Sequence, residues 1–162
     1  MLSAVSLRPP RPEEAGELTE LVLRSKAHWG YCADFIEACR EELTLRPADL
    51  APDRVFVAER SGNAVGIAAL SRDLPPTGAL NLLYVDPSAI GHGVGGRLFA
   101  HACAVARAAG FTRLTIDADP HAEPFYLSRG AVRIGETPSG SIPGRMLPLL
   151  AVDLGDRAPA EP

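Results

Sequence analysis

Two periods organise the apolar residues of this chain. Arg54-Val55-Phe56-Val57-Ala58-Glu59 and Ala64 to Leu70 are β-rich runs separated by Ser61-Gly62-Asn63. This pattern predicts an antiparallel hairpin, because Ser, Gly and Asn suit a tight turn between strands. Asp73 to Gly78, with two prolines, makes the next turn, so the run from Leu80 to Val85 continues the meander as its third strand. Elsewhere the period is helical. Leu18, Leu21, Val22 and Ser25 mark one stripe of a helix from Pro12 to Lys26 that opens with Pro and acidic residues. Phe35, Ile36, Cys39 and Leu43 mark a second from Cys32 to Leu43, with Asp34, Glu37, Arg40, Glu41 and Glu42 mostly outward. Leu98, Phe99, Ala102, Val105 and Ala106 mark a third, ended by Gly110. Val5 to Arg8, Arg113 to Asp117, Ala131 to Glu136 and Met146 to Asp153 read as further strands, and His121 to Arg129 as a short helix. The strand at Arg113 is expected to lie parallel to the one ending at Val85, because a helix crosses over between them.

The rest is arranged around the stretch from Leu80 to Ala109. A strand gives way through Asp86-Pro87 to Gly91-His92-Gly93-Val94-Gly95-Gly96 and then to helical periodicity. Such a junction binds anions: the first N–H groups of a helix lack intrahelical partners and carry the positive end of its dipole. Glycine lets a phosphate approach them, having no Cβ.

Composition narrows the setting. At 162 residues and 46% apolar content the chain buries one core, so a single α/β domain over 1–154 is expected, with 155–162 a disordered tail. A net charge of −4 argues against a nucleic-acid partner, whose phosphates need a basic surface. Three cysteines without metal-ligand spacing, and no signal peptide or membrane-length apolar run, point to the cytoplasm, with no metal and no membrane contact. Cys32, Cys39 and Cys103 read as small buried hydrophobes.

The element order, the Leu83-Tyr84-Val85-Asp86-Pro87 strand end, the glycine loop and Phe125-Tyr126-Leu127-Ser128-Arg129-Gly130-Ala131 together resemble the GNAT acetyltransferase superfamily over nearly the whole chain. The resemblance implies a mixed, mostly antiparallel sheet of about seven strands with helices on both faces, splayed between two central parallel strands. It also implies acetyl-CoA as cosubstrate and acetyl transfer to the amine of a small molecule or peptide. Gly93 and Gly95 match the family's pyrophosphate-binding signature, with Gly91, His92, Val94 and Gly96 in the same cradle, whereas Ile90 occupies its usual Arg or Gln position. By the same resemblance the main chain of Leu83, Tyr84 and Val85 pairs with the pantetheine arm, an N–H near Val85 meets the oxyanion, and Asp119 stands where relatives carry a cofactor-touching Asn. Tyr126 matches the frequent general acid of the family; packing beside Phe125 is its alternative role.

The acceptor side is less defined. His28, Asp34 or a water relayed through them are base candidates because the two early helices wall the acceptor site in the family, while Asn81, on the strand where some relatives carry a Glu base, cannot titrate. Trp29 and Tyr31 serve as pocket walls or as anchors of the first loop. The connection from Ser139 to Arg145 exceeds what a hairpin needs. It is expected to help close the acceptor site, Ser139 and Ser141 by hydrogen bonds and Arg145 by gripping a carboxylate, unless it is simply a wide solvated loop. A monomer and a homodimer both fit. Two other functions compete: an acyl-CoA-binding sensor without catalysis, and a dinucleotide-binding fold, since Gly91, Gly93 and Gly96 also spell Gly-x-Gly-x-x-Gly and Asp117 and Asp119 end a strand where a ribose-binding acid would lie. The second is disfavoured because five residues separate Val85 from Gly91.

Overall fold

The computed structural model describes residues 4–155. Seven strands, β1 (Val5–Arg8), β2 (Val55–Arg60), β3 (Asn63–Leu70), β4 (Thr77–Val85), β5 (Arg113–Asp117), β6 (Val132–Pro138) and β7 (Met146–Asp153), form one sheet in spatial order β1-β2-β3-β4-β5-β7-β6. Every neighbouring pair is antiparallel except β4 and β5. A single parallel pair excludes the doubly wound sheet of a dinucleotide-binding fold. The hairpin between β2 and β3 turns at Ser61 and Gly62, both at positive φ, the mirror-image geometry that matches strand twist.

Alternation along β2 separates two cores. Phe56 and Ala58 pack with Leu98, Phe99, Ala102 and Ala106 of α3 (Val94–Ala108), and Val55 and Val57 pack with Leu18, Leu21 and Val22 of α1 (Ala15–Ala27). Helices therefore cover both faces, as the resemblance implied. α1 is preceded by a 3-10 turn at Pro12–Glu14 and followed by α2 (Ala33–Leu43); α4 (Glu123–Ser128) closes the set. The predicted stripes of α1 and α3 face inward. Cys32 departs from expectation, because it is exposed at the N-cap of α2, whereas Cys39 is buried and Cys103 half-buried. The third helix also starts earlier than its apolar run, placing Gly95 and Gly96 in its first turn. Of the expected tail, all but Gly155 lies outside the described residues.

The central pair carries the functional geometry. β4 and β5 pair over only three positions, Thr77↔Arg113, Gly78↔Leu114 and Ala79↔Thr115. At the next residues the β3 register steps from Leu70↔Leu80 to Ala69↔Leu82, leaving Asn81 as an extra, unpaired residue of β4. A bulge bends its strand and increases local twist. β4 accordingly leaves β5 beyond Leu80, so its edge up to Val85 has no strand partner there, and β5 continues to Asp117 paired with β7 alone.

Candidate active site

The splay opens a cleft of about 400 Å³ between β4, β5, the start of α3 and α4. Its apolar wall is Leu83, Val85, Ile116 and Phe125, and its far end is the loop of Gly91, Gly93, Gly95 and Gly96. Asp86 shapes the approach to that loop: its carboxylate accepts from the Ser88 N–H, capping the 3-10 turn at Pro87–Ala89, and pairs with Arg24 at 2.8 Å, tying α1 to the strand end. Gly93, at φ 80°, is the N-cap of α3. The Arg97 N–H donates to Gly93 O as the first bond of the helical ladder, so the N–H groups of Val94, Gly95 and Gly96 have no acceptor within the helix. A Cβ on Gly95 would fall 3.6 Å from both Phe125 and Val85, so it would occupy the cleft itself without colliding with the protein. Such a cradle of open donors beside an apolar trough fits a phosphate joined to an uncharged arm. Arg129 adds a cation: its guanidinium sits 5.1 Å over the Phe125 ring and against Gly96, where a Cβ would overlap it. Among the described residues no carboxylate pairs with it.

On the α1 and α2 side of the sheet lies a larger cavity of about 830 Å³, lined by Glu42, Leu82, Asp117, Ser139, Ser141 and Arg145, among others. The two spaces meet at Lys26, Leu80, Asn81, Tyr84, Asp117 and Asp119, which line both. The bulge that creates the cleft thus also joins it to the cavity.

Asp119 anchors this boundary. Its carboxylate accepts from Lys26 Nζ at 3.1 Å, from the Tyr31 hydroxyl at 2.9 Å and from the His121 N–H at 2.9 Å. Tyr31 in turn accepts from Arg145 at 2.6 Å and stacks on Phe35 at 4.1 Å, with Lys26 and Arg145 both set over this aromatic pair. Burial works to raise the Asp119 pKa, but the His121 N–H, Lys26 and Tyr31 together hold it below the ordinary carboxylate value. Burial, then the Asp119 contact, push Tyr31 up to about 12, so it donates as a neutral phenol. Asp119→Asn should cost about 2 kcal/mol, because it leaves Lys26 buried without its counterion. A group whose pKa is depressed on folding contributes stability above its unfolded value of about 3.9 and loses it as pH falls through the folded value. Urea titrations should therefore show the deficit of the variant at pH 7 and its disappearance in acid.

Tyr126 is buried against Phe99 and Phe125 and lines the cleft. No hydrogen bond engages its hydroxyl among the described residues. Burial raises its pKa, with Tyr84 and Asp119 adding to the effect.

The sequence-derived residues thus separate into groups. Leu83, Tyr84, Val85, Gly91, Gly93, Val94, Gly95, Gly96, Asp119, Tyr126 and Trp29 line the cleft, Trp29 stacked on His121. Ser139, Ser141 and Arg145 line the larger cavity, where the Ser141 hydroxyl bonds Glu42, and Tyr31 reaches the boundary through Asp119. His92 is exposed and lines neither space. His28 and Asp34 do not line them either: His28 is the exposed C-cap of α1, and Asp34 is an exposed residue in the first turn of α2. Lys26 and Arg129 were missed as site residues, and Asp117 was weighed only as the ribose-binding acid of a dinucleotide fold. The signal for Lys26 was its place four residues after Val22 and eight after Leu18, on the buried stripe.

The sequence profile of the Acetyltransferase (GNAT) family matches residues 18–131. No curated protein matches the sequence. Among solved structures, a GCN5-related N-acetyltransferase from Rhodopseudomonas palustris superposes with a TM-score of 0.77 at 26% identity, covering 94% of this chain and 98% of that one. The PaiA N-acetyltransferase from Thermoplasma acidophilum, solved in complex with coenzyme A, gives 0.74 at 16% identity over 93% and 99%. N-acetylglutamate synthase from Neisseria gonorrhoeae, solved with coenzyme A and N-acetyl-glutamate, gives 0.65 at 22% identity over 96% of this chain and 36% of that one. The last two share the fold.

Proposed function

Because this chain belongs to the GNAT acetyltransferase family, we propose that it is an N-acetyltransferase transferring acetyl directly from acetyl-CoA to the amine of a small molecule or peptide, through a single domain spanning 1–154. The observation that carries the proposal is the cleft whose donor cradle a Cβ on Gly95 would fill, opening at its other end onto a second cavity. Two ligands that must meet need two spaces that meet. Among the described residues no helix is long and apolar enough to cross a membrane, and the three unpaired cysteines suit the reducing cytoplasm.

Acetyl-CoA supplies the activated acetyl group and a thiolate leaving group. The N–H groups of Val94, Gly95 and Gly96 hold its pyrophosphate with the helix dipole behind them. Arg129 supplies the side-chain charge that Ile90 does not. The open edge of Leu83, Tyr84 and Val85 pairs with the amide-bearing arm as an added strand would, and an N–H near Val85 meets the charge that develops on the carbonyl oxygen. Tyr126 donates to the departing sulfur. Ser139, Ser141 and Arg145 wall the acceptor, and Asp119, already saturated with donors, holds Lys26, Tyr31 and Arg145 in place.

Incubating the protein with acetyl-CoA and a mixture of metabolite amines should yield an acetylated amine by mass spectrometry, with release of free thiol. Tight CoA binding without product across the mixture would instead support a non-catalytic acyl-CoA sensor.

A further inference from the structure

Acyl transfer has to occur where the two spaces meet, so the proton acceptor for the amine should be sought among the residues lining both. Four of these six carry ionisable groups, and three are committed. Lys26 and Asp119 bind each other, Asp119 also accepting from Tyr31 and His121. Tyr84 is a phenol in a site that disfavours its anion. Asp117 differs. Leu114 and Ile116 pack in the α3 core, so alternation along β5 turns Asp117 to the opposite face, toward the larger cavity. Its main chain is fixed by pairing with Leu149, and among the described residues nothing donates to its carboxylate. Across the splay, Asn81 is the bulged residue of β4, exposed and likewise without a side-chain partner.

We propose that Asp117 docks the acceptor as its ammonium ion and takes its proton, with Asn81 as a second oxygen acceptor, so that the acceptor class is a cationic primary amine. The inference rests on the acetyl-transfer reading above. The larger cavity is lined by five acidic and five basic side chains, so the preference for a cation comes from the boundary pair Asp117 and Asn81 and not from the cavity as a whole. Arg54 and Arg72 donate to the carbonyls of Ser71 and Ala48, and Arg145 to Tyr31, whereas Glu41 makes no ion pair and Glu42 is held by a hydroxyl alone. Arg46 is the one lining cation of the described residues with no side-chain partner. The step balances as follows. The ammonium gives one proton to Asp117, directly or through one water, freeing the nitrogen lone pair. The N–C bond to the acetyl carbon forms as the C–S bond breaks. The nitrogen loses its second proton to water, the departing thiolate is met by the Tyr126 hydrogen bond and takes its proton from solvent, and Asp117 returns its proton to water, for a net release of one proton.

The test compares wild type with Asp117→Asn, an isosteric change at an exposed side chain. CoA affinity is measured by calorimetry. Acetylation is measured with 2-phenylethylamine, spermidine and L-lysine, which are cationic at neutral pH, and with 4-methoxyaniline, which is neutral there. For the cationic amines kcat/KM should fall by about 10²–10³-fold, the range of a lost general base, with KM raised and kcat lowered. CoA affinity should stay within about twofold and the arylamine rate within about threefold. Unchanged kcat/KM on the cationic amines would overturn the proposal. An equal loss on the arylamine would also overturn it, marking a structural role. Wild-type protein that binds CoA and acetylates none of the four would overturn the acetyl-transfer reading itself.

Discussion

Gly95→Val should abolish measurable CoA binding, lowering affinity by at least about a hundredfold (about 2.7 kcal/mol), while leaving the protein folded. Gly95 is at the second position of α3, and its virtual Cβ meets Phe125 and Val85 at 3.6 Å, ordinary van der Waals contact. The backbone can therefore accept a side chain, and replacing glycine by valine in a helix favours the helical state by roughly 0.3 kcal/mol. The added methyls then fill the trough where phosphate must approach the N–H groups of the first turn. Gly93 is the weaker test: at φ 80° any side chain is strained, and lost binding would be confounded with a damaged loop. Calorimetry with CoA, alongside a urea titration, reads both halves of the prediction. Arg129→Ala in the same experiment should weaken CoA about tenfold, in keeping with one charge-assisted contact. A Gly95→Val protein that binds CoA like wild type would remove the cradle from this loop.

The reach of the sequence differs between the two halves of the site, for a physical reason. The cofactor side is built by local chain geometry: strand, Pro turn, glycines and helix follow one another over 77–108, so its parts were legible as a motif with nearly correct bounds. The acceptor side is assembled from distant elements. Lys26, Tyr31, Asp119 and Arg145 form one cluster only because α1, the loop before α2, the end of β5 and the loop before β7 converge on the splay. Their separations, 93 residues between Lys26 and Asp119 and 114 between Tyr31 and Arg145, leave no periodic trace. Tyr31 and Arg145 were singled out from local oddity, an aromatic turn and an overlong loop, and Asp119 from the family resemblance. Lys26 was passed over because lysine is rarely buried, although its spacing on the α1 stripe pointed inward. His28 and Asp34 were singled out by their side-chain chemistry and the family resemblance, and both are exposed residues that line neither space. The position of the splay had a sequence correlate of its own. Asn81 interrupts an otherwise apolar strand, and the register shows it to be the bulge at which β4 leaves β5.

Tyr126→Phe should lower the acetyl-transfer step by about tenfold to a thousandfold while leaving CoA affinity and stability nearly unchanged. The ring stays buried against Phe99 and Phe125, and the hydroxyl that is removed bonds no other group among the described residues, so packing loses little. Its chemistry should be missed all the same. A thiolate whose thiol has a pKa of about 8.5 is a weaker base than phenolate at about 10 in water. Burial of Tyr126, reinforced by Tyr84 and Asp119, raises the phenol further. Full proton transfer before the C–S bond breaks is thus uphill, and the contribution of Tyr126 is a hydrogen bond that strengthens as charge builds on sulfur. Because the raised pKa keeps the phenol protonated across pH 6–9, the rate ratio of wild type to variant should be flat over that window, unlike a general base titrating within it. Single-turnover measurements at several pH values read this directly. A Phe variant with wild-type single-turnover rates throughout would assign Tyr126 to packing and leave positioning in the cleft as the main source of rate.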